Sequence, residues 1–230
     1  MALVLPVWVF IGFIVAQLLV VLVWTILKAL GLTFDTISEA TFQTILSAVV
    51  YIFTLGIVIG IPWAVKKYRT TTKELGIDQS VTWTDIVLAP TGFIAYVILS
   101  LIFTSIASNF SFYNADQVQD TGFTHLSHQY EYFLAFATLV IIAPIAEEIV
   151  FRGYLLGKLR KFVPLWSAIL ITSILFGIVH FAWNVGVDVF ALSIVLCVLR
   201  VWTGRLWPSI LLHMTKNGLA FFLLFINPLL

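Results

Sequence analysis

Long apolar stretches, separated by short polar connections, make up most of the chain. The first stretch has no ionisable side chain before Lys28, the second covers residues 42–65, and the third covers about residues 86–107. Each is at least as long as the roughly 20 residues that a transmembrane helix needs. The pattern therefore predicts three membrane-spanning helices, followed by an exposed loop over the polar segment 108–129.

The second half of the chain continues this pattern but includes ionisable residues. A fourth apolar stretch begins near Tyr132, passes through two adjacent glutamates, and is expected to continue as a helix to about residue 160. Three more stretches follow at residues 164–183, 185–203 and 206–230. We therefore predict an all-α, polytopic transmembrane helix bundle with about seven spans, in a single integral membrane domain over residues 1–230.

The composition agrees with this prediction and excludes several classes of protein. Of the 230 residues, 61% are hydrophobic and 10% are charged, whereas a soluble domain has roughly 25% charged residues. A soluble globular domain and a disordered chain are therefore both excluded. The net charge of +1 provides no basic surface, so no nucleic-acid partner is expected. Cys197 is the only cysteine, which excludes an internal disulfide.

The basic residues predict how the chain is oriented in the membrane, because short cytoplasmic loops are rich in Lys and Arg. With seven spans, the connections after spans two, four and six lie on one side of the bilayer. These connections contain most of the basic residues, namely Lys66, Lys67, Arg69, Lys73, Lys158, Arg160, Lys161 and Arg205. That side is expected to be the cytoplasm, which places the N-terminus in the cytoplasm as well.

Inserting a charged side chain at the middle of a membrane costs about 2.5 kcal/mol or more of free energy. Charged residues inside a span therefore usually serve a function. In span four, Glu148 and Arg152 are four residues apart, so they lie on one helical face and are expected to form an ion pair. Glu147 points about 100° away from that face, which leaves its carboxylate unpaired and available for chemistry. The alternative is that all these charges are simply solvated at the cytoplasmic end of the span.

Two histidines and an asparagine are expected to lie at the depth of the glutamates. If span four turns back at about residue 161, Glu147 and His180 lie about 21 and 24 Å from the turn, on antiparallel neighbours. His213 in span seven reaches a similar level, and Asn217 shares its helical face. A lone histidine in an apolar span can also be a packing partner between helices. Lys216 must snorkel, pair with a carboxylate, or face a watery cavity.

Three short motifs in this region resemble those of a known family. They are EExxxR at residues 147–152, FxxxH at residues 176–180, and HxxxN at residues 213–217, in this order on successive predicted helices. With these motifs the chain resembles the CPBP family of intramembrane proteases, which includes CAAX-processing enzymes of the Rce1 type and bacteriocin-processing proteins. Each motif alone is weak, whereas three in the right order are a strong signal.

The resemblance implies an intramembrane endopeptidase with a catalytic core at about residues 130–230. It implies that Glu147 and His180 activate a water, that His213 and Asn217 polarise the scissile carbonyl, and that Glu148 and Arg152 form a supporting ion pair. Phe176 is expected only to pack. No metal ligand or cofactor is required for this chemistry. The expected substrate is a peptide or a membrane-anchored protein in the lipid bilayer, and the expected location is the plasma membrane of a bacterial cell.

Two other functions are compatible with the same residues. In the first, zinc is bound by His180, His213 and one of the two glutamates, because three protein ligands and a water make a catalytic zinc site. The chain has no HExxH motif, however, which is the common zinc-protease pattern. In the second, the protein is a non-catalytic scaffold or a transporter with a proton relay. No repeated halves of the kind found in transporters are evident in the sequence.

Overall fold

The structure is a computed structural model that describes residues 3–32, 37–66, 69–111, 113–115, 123 and 126–226. All regular secondary structure in these residues is helical. The helices are α1 (Val4–Ala29), α2 (Glu39–Val65), α3 (Thr72–Leu75), α4 (Trp83–Ala107), α5 (Gln129–Leu159), α6 (Leu165–Ile178), α7 (Trp183–Thr203) and α8 (Trp207–Ile226). The predicted all-α bundle is therefore confirmed.

Six of the helices, α1, α2, α4, α5, α7 and α8, are long and apolar enough to cross a membrane. They correspond to six of the predicted spans, and the chain is a multi-pass integral membrane protein. The number of crossings and the orientation of the N-terminus stay predictions. Parts of the loop predicted at residues 108–129 lie outside the described residues, as do residues 227–230.

The prediction for the fifth span, residues 164–183, was wrong in length. The helix α6 has 14 residues, which rise about 21 Å, less than the roughly 30 Å of the hydrocarbon core. The chain then turns over residues 179–182, where Phe181 has a positive φ of 54°. The residues around this turn are mostly apolar and include no proline, so the hydrophobic pattern gave no signal for it.

The basic connections meet at one end of the bundle. Lys161, after α5, forms a salt bridge of 3.2 Å with Glu74 of α3. Arg205, between α7 and α8, forms one of 2.7 Å with Asp85 at the start of α4. The three connections therefore meet at one end of the bundle, as the prediction requires, while their place on one side of a bilayer and the assignment of that side to the cytoplasm stay predictions.

Helix α7 lies between α4, α6 and α8 and is the best-packed helix of the bundle. Its approach to α6 depends on two glycines. A Cβ atom on Gly177 would lie 2.9 Å from the carbonyl oxygen of Gly186, and one on Gly186 would lie 3.1 Å from that of Gly177. Only glycine allows the two backbones to come so close. This contact fixes the turn between α6 and α7, which contains His180.

Candidate active site

Glu148 and Arg152 form the predicted ion pair, with 2.7 Å between Oε1 and Nη1 and both side chains fully buried. The guanidinium also lies 4.3 Å from the centroid of the Phe176 ring, in a cation–π contact. The pairing is confirmed, and the alternative of solvated interfacial charges is wrong for this pair. The expectation that Phe176 only packs was incomplete, because its ring is a partner of the buried cation.

His213 of α8 is held between the two glutamates of α5. Its Nδ1 lies 2.9 Å from Oε1 of Glu148, and its Nε2 lies 3.8 Å from Oε2 of Glu147. An ionised carboxylate accepts hydrogen bonds and donates none, so Nδ1 of His213 carries the proton in the bond to Glu148. This contact links the first and third motifs through one buried side chain.

The pairing of Arg152 with Glu148 leaves Glu147 without that cation, as predicted, but Glu147 has a hydrogen-bond partner that the prediction did not include. The hydroxyl of Tyr51, on α2, donates a hydrogen bond of 2.7 Å to Oε1 of Glu147. The other oxygen, Oε2, faces the His213 ring at a distance too long for a hydrogen bond. Tyr51 is 96 residues away in sequence, so helical spacing could not have identified it. The Tyr51 bond fixes the rotation of the Glu147 carboxylate.

His180 lies in the turn after α6 and not within a helix, which corrects its predicted position. Its Nδ1 lies 2.7 Å from the carbonyl oxygen of Phe176. A carbonyl only accepts, so Nδ1–H donates and Nε2 of the neutral ring is an acceptor. The next residue, Phe181, has an unfavourable backbone conformation for a residue with a side chain. No direct hydrogen bond joins His180 and Glu147, both of which are described residues.

Asn217 is oriented by a break in the hydrogen bonding of α5. Residues Ala137–Ile142 form a π-helical turn, in which the N–H of Ala143 bonds to the carbonyl of Thr138. The following residue, Pro144, has no N–H to offer. The carbonyl of Leu139 instead accepts a hydrogen bond of 2.9 Å from Nδ2 of Asn217. One N–H of Asn217 is thus used for positioning, and a second remains on the same nitrogen.

A cavity of about 470 Å³ joins these side chains. The residues that line it include Tyr51, Glu147, His180, His213, Lys216 and Asn217. The structure therefore brings together all four candidate catalytic residues, as their predicted common depth required. Helices α1, α2, α5, α7 and α8 contribute the rest of the wall, which is largely apolar. Such a cavity can hold a peptide segment and a water beside a carboxylate.

Sequence reasoning missed Tyr51, the cation–π role of Phe176, and Asp188, which lies 3.5 Å from Lys216. The motif FxxxH did contain Phe176, so part of this signal was present. Tyr51 and Asp188 stand outside the motifs, and only tertiary contacts connect them to the site.

Among the described residues, no group of three or more His, Cys, Asp and Glu side chains is arranged to hold a metal ion.

Comparison with known families gives a match over the same region. Residues 129–219 match the family described as type II CAAX prenyl endopeptidase Rce1-like. The resemblance predicted from the motifs is thereby confirmed. The matched segment runs from the start of α5 into α8 and contains all three motifs.

Individual relatives align over a similar part of the chain. The membrane-embedded CAAX protease MroQ of Staphylococcus aureus (strain USA300) is 30% identical over 94 residues, which cover 38% of each protein. The putative membrane peptidase YdiL of Bacillus subtilis (strain 168) is 35% identical over 77 residues, covering 34% of this chain and 32% of that protein. An uncharacterised 24.3 kDa protein of Escherichia coli is 35% identical over 95 residues, covering 38% of this chain and 44% of its own length.

These alignments thus span less than half of the relatives' lengths. No solved structure matches this chain significantly.

Proposed function

We propose that this protein is an intramembrane endopeptidase of the CPBP type, which hydrolyses a peptide bond with a water activated by Glu147. The observation that carries the proposal is the position of the Glu147 carboxylate. It lies on the wall of a cavity that is also lined by His180, His213 and Asn217, and a partner hydroxyl fixes its rotation. The family match over the same helices agrees with a peptidase function.

In the proposed reaction, Glu147 is the general base. Its carboxylate takes one proton from the water while the water oxygen bonds to the scissile carbonyl carbon. Nε2 of His180 accepts a hydrogen bond from the same water and orients it. When the tetrahedral intermediate collapses, the carbon–nitrogen bond breaks and the leaving amine receives the proton from Glu147. The carboxylate is then restored for the next cycle.

His213 and Asn217 are proposed to stabilise the oxyanion. With both ring nitrogens protonated, His213 keeps Nδ1–H on Glu148 and offers Nε2–H to the developing charge. The N–H of Asn217 that does not bind Leu139 is the second donor. Both side chains are fixed before substrate binds, and donors that need no reorganisation stabilise a transition state most effectively. Glu148 and Arg152 position His213 and do not contact substrate in this scheme.

The rest of the proposal concerns location and substrate. We place the catalytic core at residues 130–230, with the basic connections in the cytoplasm and the protein in the plasma membrane of a bacterium. Bacterial relatives and the Lys/Arg distribution support this assignment. The substrate is a peptide or a membrane-anchored protein, because the cavity lies among apolar helices and its wall combines the polar candidate catalytic side chains with apolar ones.

The proposal is tested by comparing membrane proteomes of cells that express the wild type or Glu147→Gln. This substitution keeps the shape of the side chain and removes its basicity. We expect at least one peptide whose cleavage occurs with the wild type and is absent with Glu147→Gln. Glu39→Gln, at the start of α2, is the matched control and should cleave like the wild type. Identical peptide profiles for the wild type and Glu147→Gln would contradict the proposal.

A further inference from the structure

Lys216 places an ammonium group at the active-site cavity. It lies on α8 between His213 and Asn217 in sequence, and all three line the same cavity. Its side chain is 20% exposed, so the ammonium group is mostly buried but not fully enclosed by protein. A cation at this depth is costly unless it is paired or has a function.

Its partner is Asp188 of α7, at 3.5 Å from Nζ to Oδ2. The other oxygen of Asp188 accepts two short hydrogen bonds from α4, of 2.7 Å from the hydroxyl of Tyr96 and 2.6 Å from that of Ser100. These bonds hold the carboxylate in place. They also occupy its first oxygen, so Lys216 contacts only the second oxygen, at the longer distance of 3.5 Å.

The ammonium therefore has donor capacity beyond Asp188. It carries three N–H groups, and Asp188 is its partner among the described residues. The remaining N–H groups are available to a ligand in the cavity. Glu147, which lines the same cavity, would repel an anionic ligand, so a positive group is needed wherever such a ligand binds beside it.

We propose that Lys216, tethered by Asp188, is a subsite that binds a carboxylate of the substrate close to the scissile bond. This inference rests on the proposed function and specifies its substrate class. The carboxylate is either an acidic side chain or the C-terminus of the substrate. Since Lys216 is adjacent to Asn217, the carboxylate lies within one or two residues of the carbonyl that His213 and Asn217 polarise.

The binding test uses small probes and needs no cleavage. The first pair is N-octanoylglycine and N-octanoylglycinamide, in which a terminal carboxylate is replaced by an amide. The second pair is N-octanoylglutamic acid α-amide and N-octanoylglutamine amide, in which a side-chain carboxylate is replaced by an amide. Affinities are measured by titration calorimetry on the full chain in a non-ionic detergent, below the micellar concentration of the probes. We expect the acid of at least one pair to bind about tenfold more tightly than its amide, as a charge-assisted hydrogen bond allows.

The pair that shows the preference identifies the source of the carboxylate. Preference within the first pair alone indicates a C-terminus, and preference within the second indicates an acidic side chain. Equal affinities within both pairs would overturn the subsite.

Three variants distinguish a substrate-binding subsite from an ion pair that only links two helices. Lys216→Gln should abolish the acid preference, and Lys216→Arg should retain it. Asp188→Asn should increase the preference, because the competing carboxylate is removed. If the contact only held α7 to α8, Lys216→Gln and Asp188→Asn would both lower the melting temperature and neither would change the ratio of affinities. That result would overturn the proposal.

A cleavage experiment distinguishes failure of the subsite from failure of the proposed function. A peptide library is incubated with the wild type and with Glu147→Gln, and the cleaved sites are identified by mass spectrometry. Sites enriched in a carboxylate within two residues of the cut support the subsite, and Glu147-dependent cleavage without such enrichment contradicts the subsite alone. A chain that binds the acid probes through Lys216 but cleaves nothing contradicts the peptidase function alone.

Discussion

Oε1 of Glu148 accepts hydrogen bonds from both Arg152, at 2.7 Å, and His213, at 2.9 Å. The first bond lies within α5 and the second joins α5 to α8. A single buried oxygen therefore neutralises the guanidinium and fixes the imidazole that faces Glu147. In the proposed enzyme, stability and catalysis depend on the same carboxylate.

This arrangement predicts that Arg152→Ala is more harmful to folding than Glu147→Gln. Removing Arg152 leaves Glu148 charged and without its cation in a fully buried position, which typically costs about 3 to 5 kcal/mol. Glu147→Gln keeps the volume of the side chain and can still accept the Tyr51 hydrogen bond. Thermal unfolding of the purified variants in detergent measures the difference. Equal melting temperatures would contradict the structural role assigned to the pair.

Tyr51→Phe tests the contact that positions the general base. It removes a hydrogen bond to a charged group, which typically contributes about 1.5 to 3 kcal/mol to stability, so we expect the melting temperature to fall by a few degrees. We expect kcat to fall about tenfold or more, because the base is no longer held in place, while KM changes little. The control is Tyr130→Phe, since Tyr130 is exposed and its hydroxyl lies 3.5 Å from Glu131. An unchanged kcat for Tyr51→Phe would show that the bond is not needed for catalysis.

Asn217→Ala is expected to lower kcat by about 100- to 1,000-fold, as loss of an oxyanion donor does in other enzymes. It also leaves the Leu139 carbonyl without its side-chain donor, so a modest loss of stability should accompany the loss of activity. Thr215→Ala is the control on the same helix, because its hydroxyl bonds to the backbone of α8 at Leu211. If both variants cleave at the same rate, Asn217 is not an oxyanion donor.

Metal removal distinguishes water activation by Glu147 from the zinc hypothesis. In the proposed reaction no step uses a metal, so prolonged dialysis against a chelator should leave the cleavage rate unchanged. A zinc protease assayed in parallel should lose its activity under the same conditions. One equivalent of zinc in the purified protein, bound through His180 and His213 and required for cleavage, would favour the zinc hypothesis instead.

Cysteine labelling tests the predicted orientation. The native Cys197 is fully buried and should give little background. In intact cells, a membrane-impermeant maleimide should label Leu30→Cys, since this exposed residue follows α1. Arg160→Cys, at the basic end of the bundle, should be labelled only after the membrane is opened. The opposite pattern would place the N-terminus outside.

The sequence by itself determined the class of fold and named most residues of the candidate site. Its apolar stretches predicted about seven spans, and six of them correspond to helices long and apolar enough to cross a membrane, because the length of an apolar run directly reflects the thickness of the bilayer. The spacing of Glu148 and Arg152 predicted their ion pair, because residues four apart on a helix must share a face. The three motifs predicted which helices meet at the site and the family that the chain resembles.

Tertiary structure alone decided the end of α6 and the partners of the motif residues. The turn that contains His180 depends on the contact between Gly177 and Gly186, which belong to two helices and which no periodicity of one helix reveals. The hydrogen bond from Tyr51 to Glu147 joins residues 96 positions apart. A hydrophobic pattern records which face of a helix avoids water, but not which polar groups on two faces will come within hydrogen-bond distance.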